Sequence, residues 1–288
     1  MAVPVPFLPH RFRSAAPHYL AGRPPYPPRL VARVAALTGL RRAGTAGAHS
    51  AETPGEPSGG AAHEGRSGRV LDLGCGPGQL ALAFAPFATE VLAVDPEPEM
   101  LRVARQAAGS APIRFLQGSS YDLGPAFGRF DLAVMGRSFH WMDRAETLRQ
   151  LDRLIVPDGA VVLFGDSNPE LPDNAWRPAW REAVARYRDP SYERTHRGPD
   201  WIHHEALLLD SAFCRLDSVA AIDRRCVPVA SLVQRALSRS GSTPARLGDR
   251  VAALSDEVVR ALEPFTRDGM VTEVVETTAL IATREAAA

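Results

Sequence analysis

Residues 70–82 read Val-Leu-Asp-Leu-Gly-Cys-Gly-Pro-Gly-Gln-Leu-Ala-Leu, a short apolar run that passes an acid, crosses three alternating glycines and then takes up a helical pattern. Such a segment folds as a strand, a tight turn and a helix. Gly74, Gly76 and Gly78 have no Cβ, so the chain can turn sharply and a flat ligand can lie against main-chain amides at the helix N-terminus. Asp72 stands at the mouth of that turn. Residues 90–95, Glu-Val-Leu-Ala-Val-Asp, form a second buried strand whose last residue, Asp95, stands where a ribose diol needs an acceptor. Together the two segments describe a nucleoside pocket. The dinucleotide fingerprint G-x-G-x-x-G needs a glycine where Gln79 stands, and it has no acid two residues before its first glycine.

Asp-x-Gly-x-Gly-x-Gly instead resembles motif I of the class I S-adenosylmethionine-dependent methyltransferases. Further segments fit that family in order: residues 113–118 followed by Ser-Ser-Tyr-Asp-Leu resemble the third strand and the loop covering the adenine, residues 130–134 the fourth strand, and residues 154–164 a turn and the fifth strand. Ser138-Phe139-His140-Trp141-Met142-Asp143 and the Tyr-x-x-x-Arg-Pro-x-Tyr-Pro pattern of residues 19–27 are similar to the small-molecule branch that includes trans-aconitate-type methyltransferases. The resemblance spans residues 12–40 and 69–284. It implies a Rossmann-like α/β fold, a seven-stranded mostly parallel sheet of order 3-2-1-4-5-7-6 with the last strand antiparallel, helices on both faces and a small helical cap. S-adenosylmethionine is the implied cofactor and S-adenosylhomocysteine its product. The implied cofactor-binding residues are Asp72, Gly74, Cys75, Gly76 and Gly78, then Asp95 and Pro96, then Ser120 and Tyr121, with Arg137, Tyr19 and Arg23 closing the pocket.

Two departures from the family pattern stand out. The third-strand loop usually opens Gly-Asp-Ala, whereas here it reads Gly118-Ser119-Ser120, so the acceptor for the adenine amine is missing or displaced to Asp122. Main-chain amides and Tyr121 then carry that contact. The usual Lys-Pro-Gly-Gly turn reads Val156-Pro157-Asp158-Gly159, which keeps glycine where a positive φ is expected.

Composition narrows the chemistry. The 33 basic residues balance 33 acidic ones, and every basic residue is an arginine. The absence of lysine excludes a Schiff base, a lysine general base and a Gly-Lys-Ser/Thr phosphate loop. The balanced charge gives no long-range attraction to nucleic acid or to an anionic membrane. Cys75, Cys214 and Cys226 have neither the even count of a disulfide frame nor zinc-ligand spacing. With no apolar leader and no span long enough for a bilayer, the expectation is a soluble, unprocessed, cytoplasmic protein, monomer or homodimer.

Five segments are expected along the chain. Residues 1–40 form an N-terminal lid and a first helix over 29–40, ending at Gly39; residues 41–68, rich in Gly, Ala, Ser, Glu and Pro, form a disordered insertion. Residues 69–166 form the cofactor-binding half, with strands near 70–73, 90–95, 113–117, 130–135 and 160–165. Asp143 and Glu146 make a capping-box start for the helix before the fifth strand. Residues 167–215 form a helical cap, in which Trp176, Trp180, Val184 and Tyr187 recur at helical spacing as either a core stripe or a lid over the acceptor. Residues 216–288 complete the sheet, with a sixth strand at 219–223, helices over 230–238 and 244–262 and a long β-branched strand over 271–283.

Methyl transfer from a sulfonium is an in-line displacement that mainly needs donor and acceptor aligned and water kept out, and it needs no metal. A small-molecule acceptor is expected, with oxygen ahead of nitrogen or carbon. His140, on the loop after the fourth strand, is the candidate general base; the competing reading makes His140 and Trp141 a structural wall. Arg137 on the same loop either clamps an acceptor carboxylate or faces solvent. Arg23 either pairs with the carboxylate of the methionine moiety or belongs to a stiff Pro-rich approach to the first helix. His18, Trp141, Asp166 and Trp176 are the candidate acceptor contacts. His196, His203 and His204 with Glu205 read as cap residues facing solvent or substrate rather than as a metal site. Two other functions compete: a methyltransferase-like protein that binds the cofactor without transfer, and a nicotinamide-dependent oxidoreductase.

Overall fold

A computed structural model describes residues 7–42, 68–188 and 201–285. The expected insertion therefore lies outside the described residues except for Arg41, Arg42 and Gly68, and so does His196. Seven strands form one sheet: β1 (Arg69–Leu73), β2 (Glu90–Asp95), β3 (Ile113–Gln117), β4 (Phe130–Gly136), β5 (Ile155–Ser167), β6 (Arg215–Pro228) and β7 (Met270–Thr283). Their order is β3-β2-β1-β4-β5-β7-β6. β7 runs antiparallel to both β5 and β6, and the pairings among the first five strands are parallel. The register sets Asp72 opposite Ala93 on β2 and Val134 on β4, so the carboxyl ends of the three central strands open onto one edge.

Parallel strands buried on both faces read as nearly continuous apolar runs, and β1 and β4 do so because helices cover both sides of the sheet. On one face pack α2 (Pro28–Leu37), α3 (Gln79–Phe84) and α4 (Pro98–Ala108), through Leu30, Val34, Leu80, Phe84 and Leu101. The other face receives α5 (Arg144–Leu154) and α7 (His204–Leu209), through Leu148, Leu151, Leu154 and Leu208. Pro28 occupies the first turn of α2, and Gly39, at φ +77°, lets the Leu40 N–H return to the Ala35 carbonyl at 2.8 Å. Asp143 caps α5 by accepting from the Glu146 N–H at 3.0 Å. The reciprocal half of the expected capping box is not formed, because the Glu146 carboxylate holds Arg149 and Gln150 instead.

The cap differs most from expectation. It is built from two separate insertions: α6 (Arg177–Ala185) between β5 and β6, and α8 (Val229–Leu237), α9 (Pro244–Leu247) and α10 (Val251–Leu262) between β6 and β7. Trp176, Trp180, Val184, Leu232, Leu254 and Val258 form its core, so residues 229–262 belong with the cap rather than with the sheet. The helix expected over 244–262 breaks at Gly248, at φ +55°, into two. α7 packs against α5 under the sheet and lies outside the cap. β6 is longer than the strand expected over 219–223, whereas β7 matches the expected 271–283 to within one residue, and the two carry the sheet out to meet the cap.

Gly159 is not among the left-handed glycines; it lies within β5. Glycine is required there for close approach, since a Cβ would stand 2.5 Å from Ile155 Cγ2 and 2.7 Å from the Asp131 carbonyl oxygen.

One buried ion cluster ties the cap to the N-terminal helix α1 (Ala16–Gly22). Glu273 on β7 is fully buried and accepts from Arg235 on α8 at 2.5 and 3.0 Å and from Arg225 on β6 at 2.6 and 3.0 Å. Arg235 Nε also donates to the Gly22 carbonyl at 2.9 Å. Burial alone would raise the Glu273 carboxyl; Arg235 and Arg225 more than offset it and hold the group below its ordinary value. A depressed acid contributes stability above its unfolded pKa that is lost as pH falls through the folded one. Glu273→Ala leaves two arginines without their buried partner and is expected to cost about 3–5 kcal/mol in urea unfolding at neutral pH, shrinking on acidification. An equal cost at pH 7 and below about pH 4 would contradict this linkage.

Candidate functional site

The β1–α3 loop is held open by its glycines and braced by two carboxylates. Gly74, Gly76 and Gly78 have φ of +71°, +53° and +80°, a region that side chains avoid. The Gly74 and Cys75 N–H groups donate to the Val94 carbonyl at 2.8 and 3.0 Å, which pins the loop to the end of β2. Asp95 accepts from the Gly76 N–H at 2.8 Å and from the Glu97 N–H at 2.9 Å. Asp72 accepts from the Ala81 N–H at 2.9 Å through one oxygen, while its other oxygen, Oδ1, is buried with no partner.

Neither acid forms an ion pair among the described residues. Burial raises Asp72 from 3.8 to about 7, with Asp95 adding to the rise and the Ala81 amide opposing it. Asp95 rises to about 6, again through burial and against the pull of its two amides. Burial likewise lifts the Cys75 thiol far above its ordinary value, so it is a neutral wall.

Three connected spaces lie over this edge. The first is a cleft floored by Gly74, Gly76, Asp95 and Ser120 and walled by Gly136, Ser138 and Trp141. A small recess leads inward to Asp72, Cys75 and Tyr26. Beyond Tyr19, Arg137 and Trp141 opens a larger chamber between the sheet edge and the cap. Tyr19 borders all three and stands where they meet.

Pro96 and Ser120 line the cleft, with Asp95 and two of the glycines. His140, Trp141 and Asp166 line the larger chamber, His140 with its ring 4.6 Å from that of Trp141. Arg137 sits between cleft and chamber at a left-handed φ of +57°, an uncommon conformation for a bulky residue that marks a constrained site. It pairs with Asp166, donates to the Pro24 carbonyl at 2.9 Å and lies 4.6 Å over the Tyr26 ring. Burial opposes its charge, yet Tyr26 and Asp166 drive its pKa up, so it stays a guanidinium.

Five expected contacts are not brought to their sites. Arg23 turns to Ser238, donating to its Oγ at 2.9 Å and its carbonyl at 3.1 Å, and so faces the larger chamber instead of the cofactor cleft. His18 is spent on Gln234 at 2.6 Å, fastening the lid to α8. Trp176 is buried in the cap core, its Nε1 donating to the Thr272 carbonyl at 2.8 Å. Gly78 does not line the cleft and serves the turn instead, where a Cβ would stand 3.2 Å from Ala104 Cβ. Tyr121 is half exposed and meets Phe7 edge-on at 5.2 Å on the outer rim. Asp122 closes its own turn by accepting from the Ser119 N–H and hydroxyl at 2.7 and 2.8 Å. His203 and His204 diverge: His203 precedes α7, while His204 lies 3.2 Å from Arg144 and packs on Phe139. No group of three or more potential metal ligands occurs among the described residues.

Sequence reasoning missed the strap over the cleft. Phe7, Leu8, Pro9, Arg11 and Phe12 roof it, with Arg11 4.3 Å over the Trp141 ring and Phe12 edge-on to it at 5.4 Å. Glu97 was missed as well; it is buried at the cleft wall, caps α4 and meets His10 at 3.3 Å and Arg13 at 3.7 Å. Its signal was an acid in the capping position of Pro-Glu-Pro, directly after Asp95.

The sequence family described as "Methyltransferase domain" matches residues 71–163. An uncharacterized methyltransferase, YcgJ, of Bacillus subtilis is 33% identical over 137 residues, 46% of this chain and 53% of that protein. The malonyl-[acyl-carrier protein] O-methyltransferase of Enterobacter lignolyticus is 31% identical over 184 residues, 62% of this chain and 66% of its own length. The chain thus spans about half the length of the first curated relatives it matches. Among solved structures, an S-adenosylmethionine-dependent methyltransferase from Geobacter sulfurreducens in complex with S-adenosyl-L-homocysteine superposes with a TM-score of 0.52 at 14% identity, over 96% of this chain and 99% of that one. The [4+2]-cyclase SpnF does so with a TM-score of 0.50 at 17% identity, over 97% and 98%. The methyltransferase-domain match over residues 71–163 and the strand order of the sheet support a class I S-adenosylmethionine-dependent methyltransferase. No described helix is long and apolar enough to cross a membrane.

Gly74 and Gly76 on the floor separate steric from conformational demand. A Cβ on Gly74 would stand 2.6 Å from Ser138 Cβ, whereas a Cβ on Gly76 meets nothing within 4 Å and enters open cleft space. Gly76→Ala is expected to lose only the left-handed penalty of about 1–2 kcal/mol, and Gly74→Ala distinctly more. Urea unfolding of both variants checks this; equal losses would show that Ser138 does not confine the turn.

Proposed function

We propose that the chain transfers the methyl group of S-adenosylmethionine to a small-molecule acceptor held in the larger chamber, with oxygen the favoured acceptor atom. The observation that carries this reading is the pair of buried acids, Asp72 and Asp95, that lack a cation beside a floor of left-handed glycines. An orphaned carboxylate oxygen in a recess suits the ammonium of the methionine moiety, and the carboxylate of Asp95 retains lone pairs for ribose hydroxyls. The group supplies a methyl on a sulfonium, whose positive charge is lost as the bond to sulfur breaks and the bond to the acceptor forms. The chain's own residues hold the two reactants in line and exclude water. Tyr19, Arg137 and Trp141 border both spaces and set the aperture between them. Arg137 is fixed there by Asp166 and Pro24, and Arg11 and Phe12 close the strap over Trp141.

His140 lines the chamber close to that aperture, suited to accept a proton from a hydroxyl acceptor. A second reading, cofactor binding without transfer, is favoured by one feature. Asp122 is consumed in its own turn, leaving Ser119 and Ser120 without the acid that the family places against adenine.

Incubation with S-adenosylmethionine labelled on the methyl group and a fractionated metabolite pool is expected to place label in the small-molecule fraction. Label in none of the fractions, with the cofactor bound, would favour the second reading. Asp95→Ala is expected to abolish cofactor binding under both. Once an acceptor is known, His140→Ala is expected to lower kcat by about 10²-fold or more while S-adenosylhomocysteine affinity stays unchanged. Unchanged turnover would leave His140 as a wall.

A further inference from the structure

The sheet edge lays out a ligand in strand order. Asp72 stands near the end of β1, Asp95 ends β2, and β3 pairs beside β2 with Gln117 opposite Asp95. The Gly118 N–H returns to the Asp95 carbonyl at 3.1 Å, so the residues after β3 flank the acid that suits ribose hydroxyls. A nucleoside held at Asp95 with its amino-acid end toward Asp72 therefore carries its base over the end of β3. There Pro96, Met100, Ser119 and Ser120 bound the cleft beneath Phe7 and Leu8. Proline, methionine and phenylalanine present apolar surfaces to the faces of a flat ring.

The acids at this end are already engaged. Asp122 accepts from the Ser119 N–H at 2.7 Å and from the Ser119 hydroxyl at 2.8 Å, and that hydroxyl in turn accepts from the Tyr121 N–H at 3.2 Å. The Glu97 carboxylate caps α4 and meets His10 and Arg13. The same end is open to the outside. A shallow outer groove shares Phe7, Pro9, Pro96 and Ser119 with the cleft and continues past Gln117 to Tyr121. Phe7 and Tyr121 are 45% and 52% exposed, an apolar wall that faces solvent.

Resting on the methyl-transfer reading above, we infer that the cofactor site continues beyond the purine into this groove, recognising the ring by its faces and leaving its 6-amino group unread. The ligand class it takes is an adenosine sulfonium or thioether, with or without an apolar substituent on the amine. A carboxylate set against that amine would demand its hydrogens and block a substituent; here Ser119 and Asp122 are bonded to each other instead. An apolar substituent gains by covering the exposed rings of Phe7 and Tyr121.

The test is calorimetric titration of the full chain with S-adenosylhomocysteine, its N6-benzyl derivative and its N6,N6-dimethyl derivative. Both derivatives are expected to bind within about fivefold of the parent compound. An acceptor that reads the amine would cost the dimethyl compound about tenfold to a hundredfold, and a wall across the groove would cost the benzyl compound as much. A loss of that size in either derivative overturns the inference. Gln117→Trp, at the exposed last residue of β3, fills the groove and is expected to weaken the benzyl compound about tenfold while the parent stays within about twofold. Parent binding by that variant also shows that it has folded. Tyr121→Ala, which removes the outer wall, is expected to weaken the benzyl compound alone, by about threefold. Unchanged benzyl affinity in both variants would overturn the groove assignment. Failure of S-adenosylhomocysteine to bind the unaltered chain would instead strike the methyl-transfer reading.

Discussion

Two carboxylates that are buried without cations set the rest of this molecule in order. Asp72 and Asp95 brace the β1–α3 loop by accepting from Ala81, Gly76 and Glu97 amides, alongside the Val94 carbonyl that pins Gly74 and Cys75. The bracing is costly in the free protein. An acid raised from 3.8 to about 7 carries an ionisation cost of about 4 kcal/mol once pH exceeds the folded value. With a raised pKa the associated stability is fully present below the unfolded value and disappears as pH rises through about 7. A cation placed against Asp72 restores it. The site thus stores a preference for a positively charged ligand.

Around that floor the walls come from distant parts of the chain, and buried polar contacts keep them together. Arg235 joins Glu273 on β7 to the Gly22 carbonyl of α1, His18 joins α1 to Gln234 on α8, and Arg23 joins the lid to Ser238. Lid and cap are thereby fastened to each other, with the larger chamber between them and the sheet edge. Arg137 completes the frame by reaching both Pro24 in the lid and Asp166 at the end of β5. This residue also borders both the cleft and the chamber.

The sheet was legible because its signals are local. Each parallel strand is a short apolar run closed by glycine, proline or an acid, and the Asp-x-Gly-x-Gly-x-Gly pattern fixes which loop carries the ligand. The strand order came through the family resemblance, not through periodicity. What the sequence withheld was long-range. Nothing in Phe7 to Phe12 marks them as a roof, since their partners Trp141 and Glu97 lie far along the chain. Arg23 and His18 looked like ligand contacts because arginine and histidine beside aromatics suit that role, yet α8 supplied nearer partners. Trp176 satisfied both a core and a lid pattern, and only the Thr272 carbonyl decided between them. Gly159 was assigned to a turn by analogy and serves instead to let β4 and β5 approach.

The central claim is that the buried acids await a cationic cofactor, and calorimetry of S-adenosylmethionine binding in buffers of different ionisation enthalpy tests it most directly. At about pH 6, where Asp72 is largely protonated, binding is expected in the micromolar range with net release of a proton to the buffer; by about pH 8 that release is expected to vanish. Asp72→Asn is expected to remove most of the release. Binding with no dependence on buffer at about pH 6, or no binding at either pH, would contradict the account.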